Sequence, residues 1–571
     1  MKYSFLRSFS KRSSLLPMIL LFIFSSCSKD FIEEKPLDFL APQNAYSTKA
    51  GIAQGVTGLY ARARADWYLF PHDDAVALYG LGTDEAYDGE EPGGLRFLTN
   101  YTTSLTPDHS LPITFWRNCY ALIQSCNVLI DRIDAANKDI WENDAEKNAY
   151  LAEARFFRAY AYRILVILWG DAPIVQEVIA SAKTDFTRAP KADIYKQIED
   201  DLNFAATNLP KRGNEKAPGR ITQGAAWHFL SEAYLAQSKF QLAVDAASNV
   251  INDYGYALMT NRFGTKLGHD VFGSGDVYFD LFTLGNQNLA ENTEAIWVIQ
   301  VEPYITGGGQ VSGEYQFGPA YFRIGNTPDG KKAILGELVN GVYTGYSDTL
   351  GRPVARARPT NYLAYDIWRK DWNNDIRNAE HNIKRNFYFD NPASIYDKQK
   401  IDFSLYPPGT RDNIKDTCQY IFPYWIKVAS PCEHFTEPQR SGGGRTHKDL
   451  YAVRLAETLL LRAEAYLGLG KNDLAANDIN AIRNRAGATP VDPEEVTIDY
   501  ILDERARELY TEEFRMLTLM RLGKLVERVR KYNNNPLMPA LNIQDYNNLW
   551  PIPQSEIDLN IENKMQQNPG Y

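Results

Sequence analysis

Cys27 is the residue whose chemistry is set most plainly by its neighbours. Lys2, Arg7, Lys11 and Arg12 form a positive start, Leu15 to Phe24 is an apolar run too short to span a bilayer, and Ser25-Ser26-Cys27 follows. This pattern predicts export, cleavage before Cys27 and acylation of its sulfur and new amino group, with Phe24 standing where such a motif usually has Leu. Several acyl chains make a durable anchor. A plain secretory signal with a cysteine at its cleavage site is the alternative.

Catalytic signatures are missing. Nucleophile-elbow, zincin and phosphate-loop patterns do not occur, and the seven His lie scattered without ligand spacing. Carboxylates are abundant, but no pair stands out as the acid and base of a glycoside hydrolase, which stays open as a competing class. Asp84, Glu85, Asp88, Glu90 and Glu91 read as a solvated acidic loop; a calcium ion at Asp84, Asp88 and Glu90 is the alternative, although the spacing is not that of a calcium loop. No cofactor is expected. Aromatic residues make up 13% of the chain, with 35 Tyr and 10 Trp. Rings fill helix-packed cores, and their faces also stack on the C–H face of a sugar, so composition alone leaves both uses open. Cys119 and Cys126 lie seven apart on one predicted helix and read as buried thiols, while Cys418 and Cys432 flank a loop where a disulfide is an open alternative.

The rest of the chain must position these groups. Beyond the signal, 57 basic residues face 71 acidic ones, which argues against a nucleic-acid partner, and no second apolar stretch of spanning length follows. Residues 28–42 read as a polar tether. Helical periodicity covers 44–64, 113–136, 145–169 and 193–209, then a pair at 225–237 and 240–254 with Thr222 as cap. A similar pair occupies 455–469 and 474–486, and one long helix is expected over 498–522. Both pairs have tetratricopeptide character, with small residues such as Ala226, Ala233 and Ala463 at helix contacts. Between Asp66 and Pro112, and again from Gly255 to Gly444, the chain is dense in Gly, Asn, Tyr and Pro, with short strands expected at 295–301 and 421–428. The expected fold class is mainly α: a tetratricopeptide-like scaffold packed against a loop-rich half. Its divisions are a signal over 1–26, a lipidated tether over 27–43, a helical part over 44–260, and a second part over 261–571 whose insert of about 261–445 precedes the last helical pairs, all in one compact body.

Ordered motifs then carry a resemblance. Glu153-Ala154-Arg155-Phe156-Phe157-Arg158-Ala159-Tyr160 runs into Leu168-Trp169-Gly170-Asp171-Ala172-Pro173, followed by Gly219-Arg220-Ile221-Thr222. Leu461-Arg462-Ala463-Glu464-Ala465, Asn480-Ala481-Ile482-Arg483-Asn484-Arg485-Ala486-Gly487, Asp503-Glu504-Arg505-Ala506-Arg507-Glu508-Leu509 and the tail Leu549-Trp550-Pro551-Ile552-Pro553 complete the set. In order and across essentially the whole chain, they resemble the SusD-like (RagB/SusD) family. The resemblance implies a non-catalytic, lipid-anchored glycan-binding protein of the outer membrane's outer face, serving a SusC-like TonB-dependent transporter in nutrient uptake. The charged motif residues are expected to lock scaffold helices rather than touch ligand.

The same resemblance places the sugar site on two loop segments. The first supplies Trp67, Tyr79, Asp84, Tyr87, Asp88, Asn100 and Tyr101; the second supplies Tyr304, Tyr315, Tyr321, Arg323 and Asn326, with Trp372 further on. Both mix rings with the carboxylates, amides and guanidinium that pair with hydroxyls. A helical-repeat adaptor that binds protein instead of glycan is the second alternative, and an open concave helical groove would distinguish it.

Overall fold

The computed structural model describes residues 45–69, 73–89, 100–268, 270–302, 305–434, 445–536 and 542–571. Cys27, Glu90 and Tyr304 lie outside them.

Six helices build the first half: α1 (Lys49–Ala63), α2 (Ser110–Ala135), α3 (Asp144–Trp169), α4 (Lys191–Asn208), α5 (Gln223–Leu235) and α6 (Phe240–Asp253). Side-chain caps start several of them: Thr48 accepts from Gly51 N, and Asn143 from Glu146 N. Thr222 precedes α5, but its hydroxyl meets Tyr256 Oη at 3.2 Å instead of capping the helix. Gly170, at φ 71°, closes α3 in a conformation that favours glycine. Helix α3 is buried around most of its circumference because α2, α4 and α1 pack on it from different sides.

The second half adds α7 (Leu455–Gly468), α8 (Asn472–Arg485), α9 (Ile498–Leu509), α10 (Arg515–Arg521) and α11 (Leu525–Tyr532). α7 packs on both α6 and α8, so the two tetratricopeptide-like pairs form one continuous stack. Among the described residues, eight short strands form four two-stranded antiparallel sheets: β1 (Ala86–Asp88) with β5 (Ala357–Pro359), β2 (Ala295–Ile299) with β8 (Leu450–Arg454), β3 (Leu338–Val339) with β4 (Val342–Tyr343), and β6 (Ile383–Lys384) with β7 (Tyr424–Trp425). One hydrophobic core runs from Ile52 to Met565 and takes side chains from both halves.

Two expectations are corrected, and one open alternative is resolved. The helix expected over 498–522 is broken between Leu509 and Arg515, where Thr511 takes a φ of 69°. The break turns Glu512 and Glu513 inward to meet Arg454 and Arg505. Only Tyr424–Trp425 of 421–428 is strand, because a 3₁₀ turn, Ile426–Val428, follows at once. Cys418 and Cys432 are both free thiols, the first buried and the second exposed; Cys119 and Cys126 are buried thiols as expected. No helix among the described residues is long and apolar enough to cross a membrane.

The motif charges lock the scaffold, but chiefly across elements rather than along one helix. Arg158 of α3 makes a two-pronged bond to Asp201 of α4, both at 2.8 Å. Around α9 the pairing becomes a buried network. Glu508 meets Arg377 at 2.9 Å and Arg454 at 2.9 Å, and it also pairs with Arg485; Glu504 meets Arg377 at 2.8 Å, Arg483 at 2.8 Å and Arg507 at 3.0 Å. Burial raises the carboxyls' pKa, but the surrounding guanidiniums more than reverse this: Glu504 is held at about 2 and Glu508 lower still. The insert, β8 and α8 are thereby pinned to one helix.

Removing one member strands its partners as uncompensated buried charges, which costs far more than loss of an exposed pair. Glu508→Ala is therefore expected to lose about 3–5 kcal/mol of stability by denaturant titration. Lys196→Ala, which breaks only an exposed pair with Asp200, should leave the midpoint in place. Because the folded pKa values lie below the unfolded ones, this stabilisation is complete above the ordinary carboxylate range of about 4. It should drain away as pH falls toward 2, visible as a falling melting temperature.

Candidate functional site

The two loop segments singled out from the sequence are joined by backbone. β1 comes from the first and β5 from the second, with Tyr87 opposite Arg358. Thr360 tightens the junction: its N–H donates to Glu85 O at 2.8 Å and its hydroxyl to Asp84 O at 2.7 Å. The same hydroxyl accepts from Leu363 N and so caps the short helical turn Asn361–Ala364. Tyr362 of that turn stacks on Tyr532 of α11 at 4.0 Å between ring centroids.

Beneath this junction lies a second buried charge cluster. Asp84 accepts from Arg515 at 2.7 Å and from Arg528 at 2.6 Å, and Arg528 reaches on to Asp503 at 2.8 Å. Burial works to raise the Asp84 pKa, but the two guanidiniums hold it at about 2. Neighbouring Glu85 is equally buried; its Oε1 lies 3.3 Å from Arg515 Nε, but neither carboxyl oxygen makes a hydrogen bond, and burial pushes its pKa well above the usual range.

From the capped turn the chain runs through Tyr365 and a 3₁₀ segment, Asp366–Asp371, to Trp372. Asp371 ties that segment down by accepting from Arg483 at 2.6 Å and from Thr489 N at 3.0 Å. Tyr365 and Trp372 face solvent, 39% and 41% exposed, with ring planes within 13° of parallel and centroids 6.5 Å apart. Arg385 supports them, its guanidinium 4.9 Å from the Trp372 ring centroid while its Nη2 donates to Ala364 O at 3.1 Å and Asn378 Oδ1 at 2.6 Å. Arg358 lies 5.3 Å over the Tyr87 ring, and the Tyr365 hydroxyl is close enough to influence the titration of both Tyr87 and Arg385.

The structure sorts the residues named from sequence. Trp67, Tyr79, Tyr101 and Tyr321 are core residues: Trp67 packs edge-on to Tyr160, Tyr79 edge-on to Phe514, Tyr101 donates to Gly82 O at 2.6 Å, and Tyr321 donates to Gly351 O at 2.8 Å. Asp84 is a structural anion, unavailable to a sugar or to calcium. Tyr87 and Asp88 are buried in β1, and Asn100 accepts from Asn542 Nδ2. Tyr315 is half-buried, whereas Arg323 and Asn326 are exposed on a neighbouring stretch of the insert. Of the named rings among the described residues, Trp372 alone joins this exposed face. Tyr365, Arg358 and Arg385 were missed; their signal is local, an Arg-Ala-Arg alternation into Pro359 and a ring seven residues before Trp372.

A larger open cleft of about 560 Å³ lies elsewhere, between the 212–222 loop and residues 287–298. Its cations are already engaged: Arg212 donates to Gly255 O at 2.8 Å and Arg220 to Glu153 at 2.6 Å.

Comparison with known proteins covers the whole of this framework. A model of the SusD family matches residues 285–571, and one described as starch-binding associating with outer membrane matches residues 30–235. SusD-like protein P25 of Formosa agariphila is 25% identical over 95% of this chain and 96% of its own. Starch-binding protein SusD of Bacteroides thetaiotaomicron is 27% identical over 75% of this chain and 74% of its own. Among solved structures, a laminarin-binding SusD-like protein superposes with a TM-score of 0.64 at 22% identity, covering 92% of this chain and all of that one. Surface glycan-binding protein A from Bacteroides fluxus covers the same shares, with a TM-score of 0.63 at 21% identity.

The two adjacent acids make opposite predictions. Asp84→Asn should cost about 3 kcal/mol or more in denaturant stability, since it leaves two buried guanidiniums short of charge. Glu85→Gln, a change of similar shape at a carboxyl that makes no hydrogen bond and whose charged form burial disfavours, should change stability by about 1 kcal/mol or less.

Proposed function

The chain belongs to the SusD family, and from that premise we propose that it is a non-catalytic glycan-capture protein. It holds oligosaccharide at the outer membrane's outer face, anchored through Cys27, and passes it to a SusC-like TonB-dependent transporter. The observation that carries this reading is the Tyr365–Trp372 face: two exposed rings, nearly parallel, on a segment fixed by a capped turn, a 3₁₀ helix and Arg385. Rings held this way present flat apolar faces to pyranose C–H groups with little ordering cost. The glycan named in each relative's description, starch or laminarin, is consistent with a carbohydrate of some kind here.

The pairing of the nearby acids supports the reading of binding without cleavage. Asp84, Asp371 and Asp375 are all committed to buried arginines, and Asp366 pairs with Arg369 at 2.5 Å. A glycosidase needs two carboxyls free to face the scissile bond. Burial raises the Glu85 pKa in the direction a general acid needs, but Glu85 is fully buried beneath the strand junction.

Calorimetric titration of the chain starting after Cys27 with a panel of oligosaccharides tests this. Tyr365→Ala and Trp372→Ala should each weaken binding about tenfold or more, the loss of one ring stacking partner, with no new products on chromatography of the same samples. Chain cleavage would contradict the non-catalytic reading, and unchanged affinity in both variants would move the site off this face.

A further inference from the structure

We propose that the glycan taken at this face is anionic, bearing carboxylate or sulfate groups, and that Arg358 is the residue that pairs with its acid group. The inference rests on the reading of Tyr365 and Trp372 as the sugar platform. Buried arginines in this protein are typically matched to acids: Arg158 to Asp201, Arg377 to Glu504 and Glu508, Arg454 to Glu508 and Glu512, Arg515 and Arg528 to Asp84. The two arginines at the platform depart from that pattern. Arg358, only 7% exposed, donates through Nη1 to Asn361 Oδ1 at 3.1 Å and to the carbonyl of Pro359. Its Nε has no acceptor, and no hydrogen bond engages its Nη2. The Arg385 side chain bonds to the carbonyls of Ala364, Asn378 and Ile383 and to the Asn378 side-chain amide oxygen, with its Nε left without a partner.

Among the described residues, then, no carboxylate pairs with either guanidinium. Among the described residues, two acids of the same stretch are spoken for: Glu380 holds Lys384 at 3.3 Å and accepts from the backbone N–H groups of Arg385 and Asn386, and Asp366 holds Arg369. Two full positive charges, partly withdrawn from water, thus sit beside the segment that carries the exposed rings, Arg385 over Trp372 and Arg358 bonded to Asn361 at the start of the turn leading to Tyr365, in a chain whose net charge is negative. A guanidinium edge with free donors suits the planar carboxylate of a uronic acid or the oxygens of a sulfate ester, and charge-assisted bonds of this kind are about twice as strong as neutral ones. Arg385, its two Nη groups occupied and its Nε buried without a partner, contributes by field and by holding Trp372. The charge is fixed across neutral pH, so the preference does not depend on a titrating group.

The test is calorimetry on the chain starting after Cys27 with three hexasaccharides: oligogalacturonate, sulfated carrageenan oligosaccharide and neutral laminarihexaose. At least one acidic probe should bind about tenfold or more tightly than laminarihexaose, and which one it is separates the carboxylate from the sulfate source. Arg358→Gln should abolish that advantage, Arg358→Lys should retain part of it, and added salt should erode it. Carboxyl-reduced oligogalacturonate or desulfated carrageenan oligosaccharide gives the same comparison on the unaltered protein if Arg358→Gln does not fold. Laminarihexaose binding as tightly as both acidic probes, with loss in Trp372→Ala, would overturn the acidic preference and leave glycan capture standing. Binding of none of the three would overturn both.

Discussion

Buried pairing of arginine with carboxylate is the constraint on which this structure turns. Each such charge is costly to withdraw from water, and each is tolerable only while its partners stay within hydrogen-bonding distance. Glu504 and Glu508 project from one helix toward Arg377 in the insert, Arg454 at the end of β8 and Arg483 and Arg485 on α8. Asp84 does the same for the first loop, drawing Arg515 and Arg528 from the last helices. Segments hundreds of residues apart are thereby held in one arrangement, and loops with little regular structure of their own acquire the fixity of a core.

That fixity is what a capture surface needs. Rings on a mobile loop would lose conformational freedom on meeting a sugar, whereas Tyr365 and Trp372 sit on a segment already anchored through Asp371, Thr360 and Arg385. The same economy argues against catalysis at this face, since acids used to hold the frame are not free to attack or protonate a glycosidic bond. The frame also accounts for the chemical contrast at the platform, where cations lack the counter-charges supplied almost everywhere beneath it.

Much of the scaffold was legible in the sequence because helices announce themselves by period and by caps. α3, with its Gly170 stop, and the pairs α5–α6 and α7–α8 fall within a few residues of expectation. The long helix over 498–522 was misread because periodicity records local apolar spacing and not the pull of buried arginines on Glu512 and Glu513, which requires a turn at Thr511. The loop segments were legible as segments, but their residues were not. Trp67, Tyr79 and Tyr101 share composition with surface rings, and only tertiary packing shows them facing inward. Asp84 looked like part of a solvated acidic loop because its partners, Arg515 and Arg528, lie more than four hundred residues away. Trp372 was found by type; Tyr365 and Arg358 carry local cues, but their place beside one another depends on the β1–β5 pairing and the capped turn that follows it, which is long-range.

Hydrogen–deuterium exchange of the chain, with and without a saturating oligosaccharide, tests the link between frame and face most directly. Amides at 84–88 and 357–365 should exchange slowly before ligand is added, with further protection on binding confined to residues about 358–385. Fast exchange at those amides in the free protein, or ligand protection centred instead on the cleft formed by residues 212–222 and 287–298, would contradict it.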